Sequence, residues 1–207
     1  KGRVIVVIPS TTTVDNVKRS FGRLRNLSFL ESNVASLALD QDSVDSCFSL
    51  GLLSVVPDPR KVLAEFLRVT KRGGRVIAGA SDYAAFYHYP MPDYLESQMS
   101  ELSDRLEEAK IWDPFLGRKL FSMLQELCLE DVRTHVFAEH IFVGEMNSLE
   151  TKLWEDRLEK ISQLQSQGLF HLSFDLNAFR SELFTFFQNP MRFSYSPAIF
   201  AEGRKPL

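Results

Sequence analysis

The sequence predicts an α/β fold, in which a mostly parallel sheet is flanked by helices and completed by a final antiparallel strand. The run VIVVI at residues 4–8 is the first indication, since continuous β-branched stretches are typical of parallel strands covered on both faces. Residues 44–80 then read as strand, helix and strand, a βαβ unit whose strands run parallel. Two later strand patterns, at 132–143 and 195–202, are separated by two amphipathic helices, which predicts a helical insertion before the last strand.

The composition is that of one ordinary globular domain. The chain has 207 residues, of which 44% are hydrophobic and 25% charged, with a net charge of −3. Basic residues are scattered, and the longest basic cluster is Lys71-Arg72, so nucleic acid is not an expected partner. No apolar run has the length of a membrane span. We expect a single domain over residues 1–207, with candidate lid or insertion helices at 81–112 and 146–190.

The two cysteines carry no metal-site or disulfide signal. Cys47 and Cys128 belong to no CxxC pair and lie near no histidine at ligand spacing. We therefore expect no metal, and two buried thiols in an intracellular, reducing compartment such as the cytoplasm or an organelle matrix.

The elements of the first half each have a local signal. A helix over residues 57–70 has Asp58 as its N-cap, Pro59 in its first turn and Gly73-Gly74 as its predicted stop. The other predicted elements are a strand at 4–8, a helix at 11–25 and strands at 27–30, 44–50 and 75–80.

The second half is mainly helical. It opens with the aromatic stretch SDYAAFYHYPMPDY at residues 81–94, which we expect to be a loop. Amphipathic periodicity then predicts helices at 94–110, from 113 onward, at 148–167 and at 175–188.

The stretch LALDQDSVDSCFSLGLLSVVPDPRKVLAEFLRVTKRGGRVIAGA, residues 37–80, resembles class I S-adenosylmethionine (SAM) dependent methyltransferases, in particular their ubiquinone/menaquinone-biosynthesis-like branch. The resemblance lies in the order of the elements: an acidic turn, a strand opening with aspartate, a PDP helix start and a basic GG turn before the next strand. VIVVIPS is similar to the family's second strand and NLSFLESN to its third. The resemblance implies a Rossmann-like sheet and SAM as the cofactor.

The resemblance also implies a cofactor site at the carboxyl ends of the strands. The matching positions are Ile8, Pro9, Ser10, Asn33, Val34, Ser49, Leu50 and Gly51. Two of them depart from the family pattern. Ile8 stands where an acidic residue binds the ribose hydroxyls, and Asn33 stands where an aspartate binds the adenine amine. The glycine-rich loop expected before VIVVIPS has no match in Lys1, Gly2 and Arg3.

The aromatic stretch supplies the candidates for acceptor binding and proton transfer. His88 is the candidate general base, while Tyr83, Phe86, Tyr87 and Tyr89 are candidates for an apolar acceptor pocket. A packed loop that covers the core is the alternative for these aromatics. Arg118 and Lys119 could bind an acidic acceptor or lie on a solvated helix face.

Two functions follow from the resemblance and its departures. The first is a SAM-dependent methyltransferase that acts on a small apolar or aromatic acceptor. The second is an inactive methyltransferase-like scaffold or assembly subunit, which has lost SAM binding and works with a protein partner. A catalytic fragment whose first strand lies in another segment is a third.

Overall fold

The computed structural model describes residues 2–8, 19–21 and 23–207. The strands of this part of the chain are β1 (Val4–Ile8), β2 (Leu27–Glu31), β3 (Val44–Leu50), β4 (Thr70–Ser81), β5 (Tyr87–Tyr89), β6 (Glu130–Val143) and β7 (Phe193–Arg204). The helices are α1 (Pro59–Val69), α2 (Asp93–Glu108), α3 (Leu116–Glu126), α4 (Ser148–Ser166) and α5 (Leu176–Phe187). Short 3-10 turns occupy Leu52–Val55 and Tyr83–Ala85.

The strands form a two-stranded and a five-stranded sheet. β1 and β2 are parallel, with Ile8 opposite Glu31. In the larger sheet β3 and β4 are parallel, and β7 is antiparallel to β4, β5 and β6. The predicted α/β class, the β3–α1–β4 unit and the final antiparallel strand are confirmed. β7 is an interior strand, as is β4, because each hydrogen-bonds to partners along both of its edges.

Helix α1 starts at the predicted N-cap but ends earlier than predicted. The Asp58 carboxylate accepts a hydrogen bond from the Lys61 N–H at 3.0 Å. The helix ends at Val69, and the Thr70 hydroxyl donates to the Phe66 carbonyl at 2.6 Å. The predicted stop at 73–74 is therefore wrong: the β-branched pair at 69–70 passes directly into β4.

The two glycines instead lie within strand β4, where the larger sheet is tightly packed. A Cβ on Gly74 would lie 2.6 Å from the Asp45 carbonyl oxygen of β3 and 2.8 Å from that of Lys71. Only glycine allows so close an approach of these backbones.

Two hydrophobic clusters stabilise the fold. The first packs α1 and α3 against the larger sheet, through residues such as Leu63, Val76 and Leu120. The second lies among α2, α4 and α5, through residues such as Leu106, Leu158 and Phe187. The late helices thus pack mainly on one another and form a helical layer of their own.

Four sequence expectations have other outcomes. The stretch 81–94, expected to be a loop, contains the 3-10 turn Tyr83–Ala85 and strand β5 (Tyr87–Tyr89). The helix at 11–25 falls largely outside the described residues, of which 19–21 are helical. VIVVI is a strand, but only Ile8 is fully buried. Cys47 is half-buried whereas Cys128 is exposed, so the prediction of two buried thiols is wrong for Cys128; both are free thiols. Burial raises the pKa of the Cys47 thiol.

Candidate functional site

A cavity of about 450 Å³ opens beside the carboxyl ends of β3 and β4. Its polar lining comes from the sheet side, at Gly51, Ser54, Ser81 and Glu139, from α2, at Ser103, and from α4, at Arg157 and Lys160. The remaining wall is mainly apolar and is built from Val55, Tyr83, Phe86, Met99, Leu102, Leu106, Ile111, Trp112, Trp154, Ile161, Leu164 and Phe179. The helical layer therefore roofs a cavity whose floor is the edge of the sheet where parallel α/β proteins bind their ligands.

Gly51 forms the turn that leads from β3 into the cavity wall. Its φ of +71° lies in the left-handed region, which favours glycine. Its N–H donates to the Gly79 carbonyl of β4 at 2.8 Å, and the 3-10 turn that follows carries Ser54. The Asp113 N–H in turn donates to the Ser54 carbonyl at 2.8 Å. Gly51, a predicted cofactor residue, thus hydrogen-bonds β3 to β4 and also lines the cavity.

A buried carboxylate positions the aromatic loop. Asp82, which is 3% exposed, accepts hydrogen bonds from Arg118 Nε at 2.8 Å and Nη2 at 2.9 Å. Its N–H donates to the Pro197 carbonyl at 2.9 Å. This two-pronged ion pair holds the chain at the point where it leaves β4 and presents Tyr83 and Phe86 to the cavity.

The predicted acceptor residues lie in three different places: the main cavity, a neighbouring cavity and the protein surface. Tyr83 and Phe86 line the main cavity, and their rings lie 5.0 Å from Trp112 and 6.3 Å from Trp154. Tyr87 and His88 line a neighbouring cavity of about 200 Å³, together with Tyr83 and Phe86. Tyr89 is 72% exposed on β5 and lines neither cavity.

His88 is a neutral imidazole at neutral pH. Its Nδ1 lies 2.8 Å from the Ser194 hydroxyl, and its ring packs 4.2 Å from Phe86. Burial, followed by the Arg192 guanidinium, lowers the pKa of His88 to about 4. The buried Nε2 has no hydrogen-bond partner among the described residues. Its role as a general base stays a prediction, and a base with this pKa is a weak one near pH 7.

The residues matched to the cofactor site lie on both sheets. Ile8 is 3% exposed and its carbonyl accepts from the Ser32 N–H at 3.1 Å. Asn33 is exposed and its Oδ1 accepts from the Ala35 N–H at 2.9 Å, while Val34 packs against the first cluster. Pro9 and Ser10 lie outside the described residues.

At the end of β3 the matched residues fit a polar ligand. Ser49 is buried, and its hydroxyl has no hydrogen-bond partner in the described part of the chain. A buried hydroxyl without a partner costs free energy, which a ligand such as SAM would recover. Leu50 beside it is 53% exposed. Ile8 offers no acceptor to a ribose and the Asn33 Oδ1 already accepts from Ala35, so the polar fit rests on Ser49 and the Gly51 turn.

Several polar cavity residues had no functional signal in the sequence: Ser81, Ser103, Glu139, Arg157 and Lys160. Glu139 accepts a short hydrogen bond from the Ser81 hydroxyl. Arg157 and Lys160 belong to the polar face of an amphipathic helix, and periodicity alone assigns such a face to solvent. Only the packing of α4 over the sheet shows that this face borders a cavity.

Arg118 and Lys119 are already engaged within the protein. Arg118 pairs with Asp82, and Lys119 pairs with Asp113 at 2.8 Å and with Glu107. These contacts argue against the interpretation that the two cations bind an acidic acceptor.

Among the residues that the structure describes, no cluster of potential metal ligands occurs. No helix in the same part of the chain is long and apolar enough to cross a bilayer.

The fold of this chain is shared with solved methyltransferases. Residues 1–78 match a family model described as a methyltransferase domain. The match spans 78 of the 207 residues and supports a methyltransferase domain in that part of the chain. The finer assignment to the ubiquinone/menaquinone-biosynthesis-like branch stays a prediction.

Known proteins show the same fold at low sequence identity. A provisionally assigned methyltransferase of Bacillus halodurans C-125 aligns over 100% of this chain and 94% of its own, with a TM-score of 0.60 and 15% identity. A Haemonchus contortus phosphoethanolamine N-methyltransferase 2, in complex with phosphomonomethylethanolamine and S-adenosylhomocysteine, aligns over 100% of this chain and 44% of its own, with a TM-score of 0.54 and 12% identity.

A curated relative, an uncharacterized 37.1 kDa protein in a transposon of Streptomyces fradiae, is 28% identical over 123 residues. The match covers 58% of this chain. It covers 34% of the relative, so the chain spans about a third of that protein's length.

Proposed function

We propose that the protein binds SAM at the carboxyl ends of β1 to β3 and transfers a methyl group to a small apolar or aromatic acceptor. The observation that carries the proposal is the cavity of about 450 Å³, which borders Gly51 and is closed by the helical layer. The complex of the Haemonchus enzyme with S-adenosylhomocysteine supports the choice of cofactor.

The chemistry asks mainly for positioning and for exclusion of water. SAM, when bound, supplies an electrophilic methyl group on a sulfonium. The apolar wall of the cavity holds the acceptor and excludes water, while the rings of Tyr83 and Phe86 orient it. Where the acceptor must lose a proton, the bases at hand are His88 in the neighbouring cavity and Glu139 in the main one.

A matched pair of glycine variants tests the cofactor site. Gly51 and Gly168 both have a left-handed φ, +71° and +74°, and a Cβ on either would meet nothing within 4 Å. The two alanine variants therefore carry similar backbone strain, but only Gly51 lies at the proposed site. We expect calorimetric titration to show SAM binding to the wild type and to Gly168→Ala, and at least tenfold weaker binding to Gly51→Ala. Equal affinities for the two variants would contradict the placement of the site.

The second candidate function, an inactive scaffold, is favoured by Ile8. Its buried apolar side chain occupies the position of the ribose-binding acid, and each unpaired ribose hydroxyl costs about 1–3 kcal/mol. The scaffold hypothesis predicts no heat of binding at high micromolar SAM and a stoichiometric protein partner from the native source. An intracellular, reducing compartment is the proposed location for either function, in keeping with the two free thiols.

A further inference from the structure

Two cations of helix α4 line the cavity and pair with no carboxylate among the residues that the structure describes. Arg157 and Lys160 lie three residues apart and therefore share one face of the helix. In the part of the chain that the structure describes, neither forms an ion pair. Arg118 and Lys119, which lie outside the cavity lining, are both paired. Among the described residues, the cavity lining thus carries two exposed cations outside any ion pair, together with the carboxylate of Glu139.

Arg157 is held in place by aromatic rings. Its guanidinium carbon lies 5.6 Å from the ring centre of Tyr83 and 5.4 Å from that of Trp154. Among the described residues it makes one long hydrogen bond, from Nη2 to the Tyr83 hydroxyl at 3.5 Å. A guanidinium has five N–H donors, so most of them remain available. A cation fixed in this way loses little side-chain entropy when it binds an anion.

The rest of the lining is apolar except at the sheet edge and at Ser103 of α2, whose hydroxyl donates to the Met99 carbonyl at 3.0 Å. The carboxylate of the lining is Glu139, which lies on β6 and accepts from Ser81, on the sheet side of the cavity. The two cations lie on the helical roof, beside Trp154 and Ile161 of the same helix. An occupant that matches both regions has an apolar ring and one negative charge.

We propose that the acceptor is an aromatic carboxylate, whose ring lies against the tryptophans of the cavity and whose carboxylate pairs with Arg157 and Lys160. This inference rests on the proposed function, because it names the acceptor of the same site. The planar fork of Arg157 suits a carboxylate, and Lys160 adds a second positive charge.

The test compares two probes of one shape, naphthoate and the neutral naphthamide. Trp112 and Trp154 line the cavity, so quenching of tryptophan fluorescence reports their binding. We expect the wild type to bind naphthoate about tenfold more tightly, as one charge-assisted pair would give. The double variant Arg157→Met/Lys160→Met should lose this preference. The control Lys152→Met changes a cation of the same helix that pairs with Asp156, and should keep it.

The affinity for SAM separates this inference from the proposed function. We expect calorimetry to give the same SAM affinity for the double variant and the wild type. A weaker SAM affinity would assign the two cations to the cofactor and overturn the inference. Equal binding of the two probes, binding of neither, or a preference that survives in the double variant would also overturn it. A preference that depends on the two cations, in a protein that does not bind SAM, would support the anion site and contradict methyl transfer.

Discussion

The ion pair between Asp82 and Arg118 should contribute far more to stability than an exposed pair of the same chemistry. We consider the substitution Arg118→Met, which keeps an apolar stem over the Phe115 ring and removes both hydrogen bonds to Asp82. The Asp82 side chain is only 5% exposed, so its carboxylate would be left buried and unpaired. Hydrogen bonds to charged groups contribute about 1.5–3 kcal/mol each.

Solvent reduces the effect, because the Arg118 side chain is 50% exposed and its charge is screened. We therefore expect the free energy of unfolding to fall by about 2–3 kcal/mol, near the lower end for a broken buried pair. The assay is urea unfolding followed by circular dichroism.

The control is Arg60→Met. Arg60 pairs with Glu126 at 2.9 Å, but both side chains are more than half exposed, at 56% and 53%. An exposed pair contributes about 0–1 kcal/mol, so this variant should change little. Equal losses in the two variants would refute the argument from burial.

Three further predictions concern pH and packing. The pKa of His88 is lowered to about 4, so below pH 6.5 the unfolded chain binds more protons than the folded one. The free energy of unfolding should therefore fall by about 3 kcal/mol from pH 7 to pH 4. Unfolding curves of His88→Gln should show a smaller dependence of this free energy on pH. The hydrogen bond from Arg68 lowers the pKa of Glu65. The contribution of this carboxylate to stability is therefore present above the usual glutamate pKa of about 4.3 and is lost as the pH falls further. Glu65→Gln should remove this part of the pH dependence in acid unfolding. Gly74→Ala should cost about 1–3 kcal/mol in urea unfolding and Gly2→Ala, with open space around it, almost nothing.

The sequence was sufficient for the fold because local and periodic signals agree there. The Asp58 cap, the stripe of α1 and the β-branched strands each indicate the same βαβ unit that the structure shows. The end of α1 was misjudged because the glycine pair at 73–74 is a strong stop signal. Strand β4 begins before this pair, and Gly74 allows close packing between β3 and β4.

The cavity could be predicted only in part. Gly51, Tyr83 and Phe86 follow strands β3 and β4, so the rule that ligands bind at the carboxyl ends of strands finds them. Arg157 and Lys160 border the cavity only because α4 packs with α2 and α5 over the sheet. That arrangement depends on contacts between residues far apart in sequence, which neither spacing nor periodicity encodes.

The position of strand β7 also bears on how the chain folds. It is the last strand in the sequence, yet it hydrogen-bonds to β4, β5 and β6, with Ala80 opposite Ile199. During synthesis, β4 and β6 must therefore wait with unpaired edges until residues 193–204 have left the ribosome. Closing so long a loop is entropically costly, and contacts of this kind slow folding. A chaperone that shields the waiting strand edges should raise the yield of this protein more than its size alone would suggest.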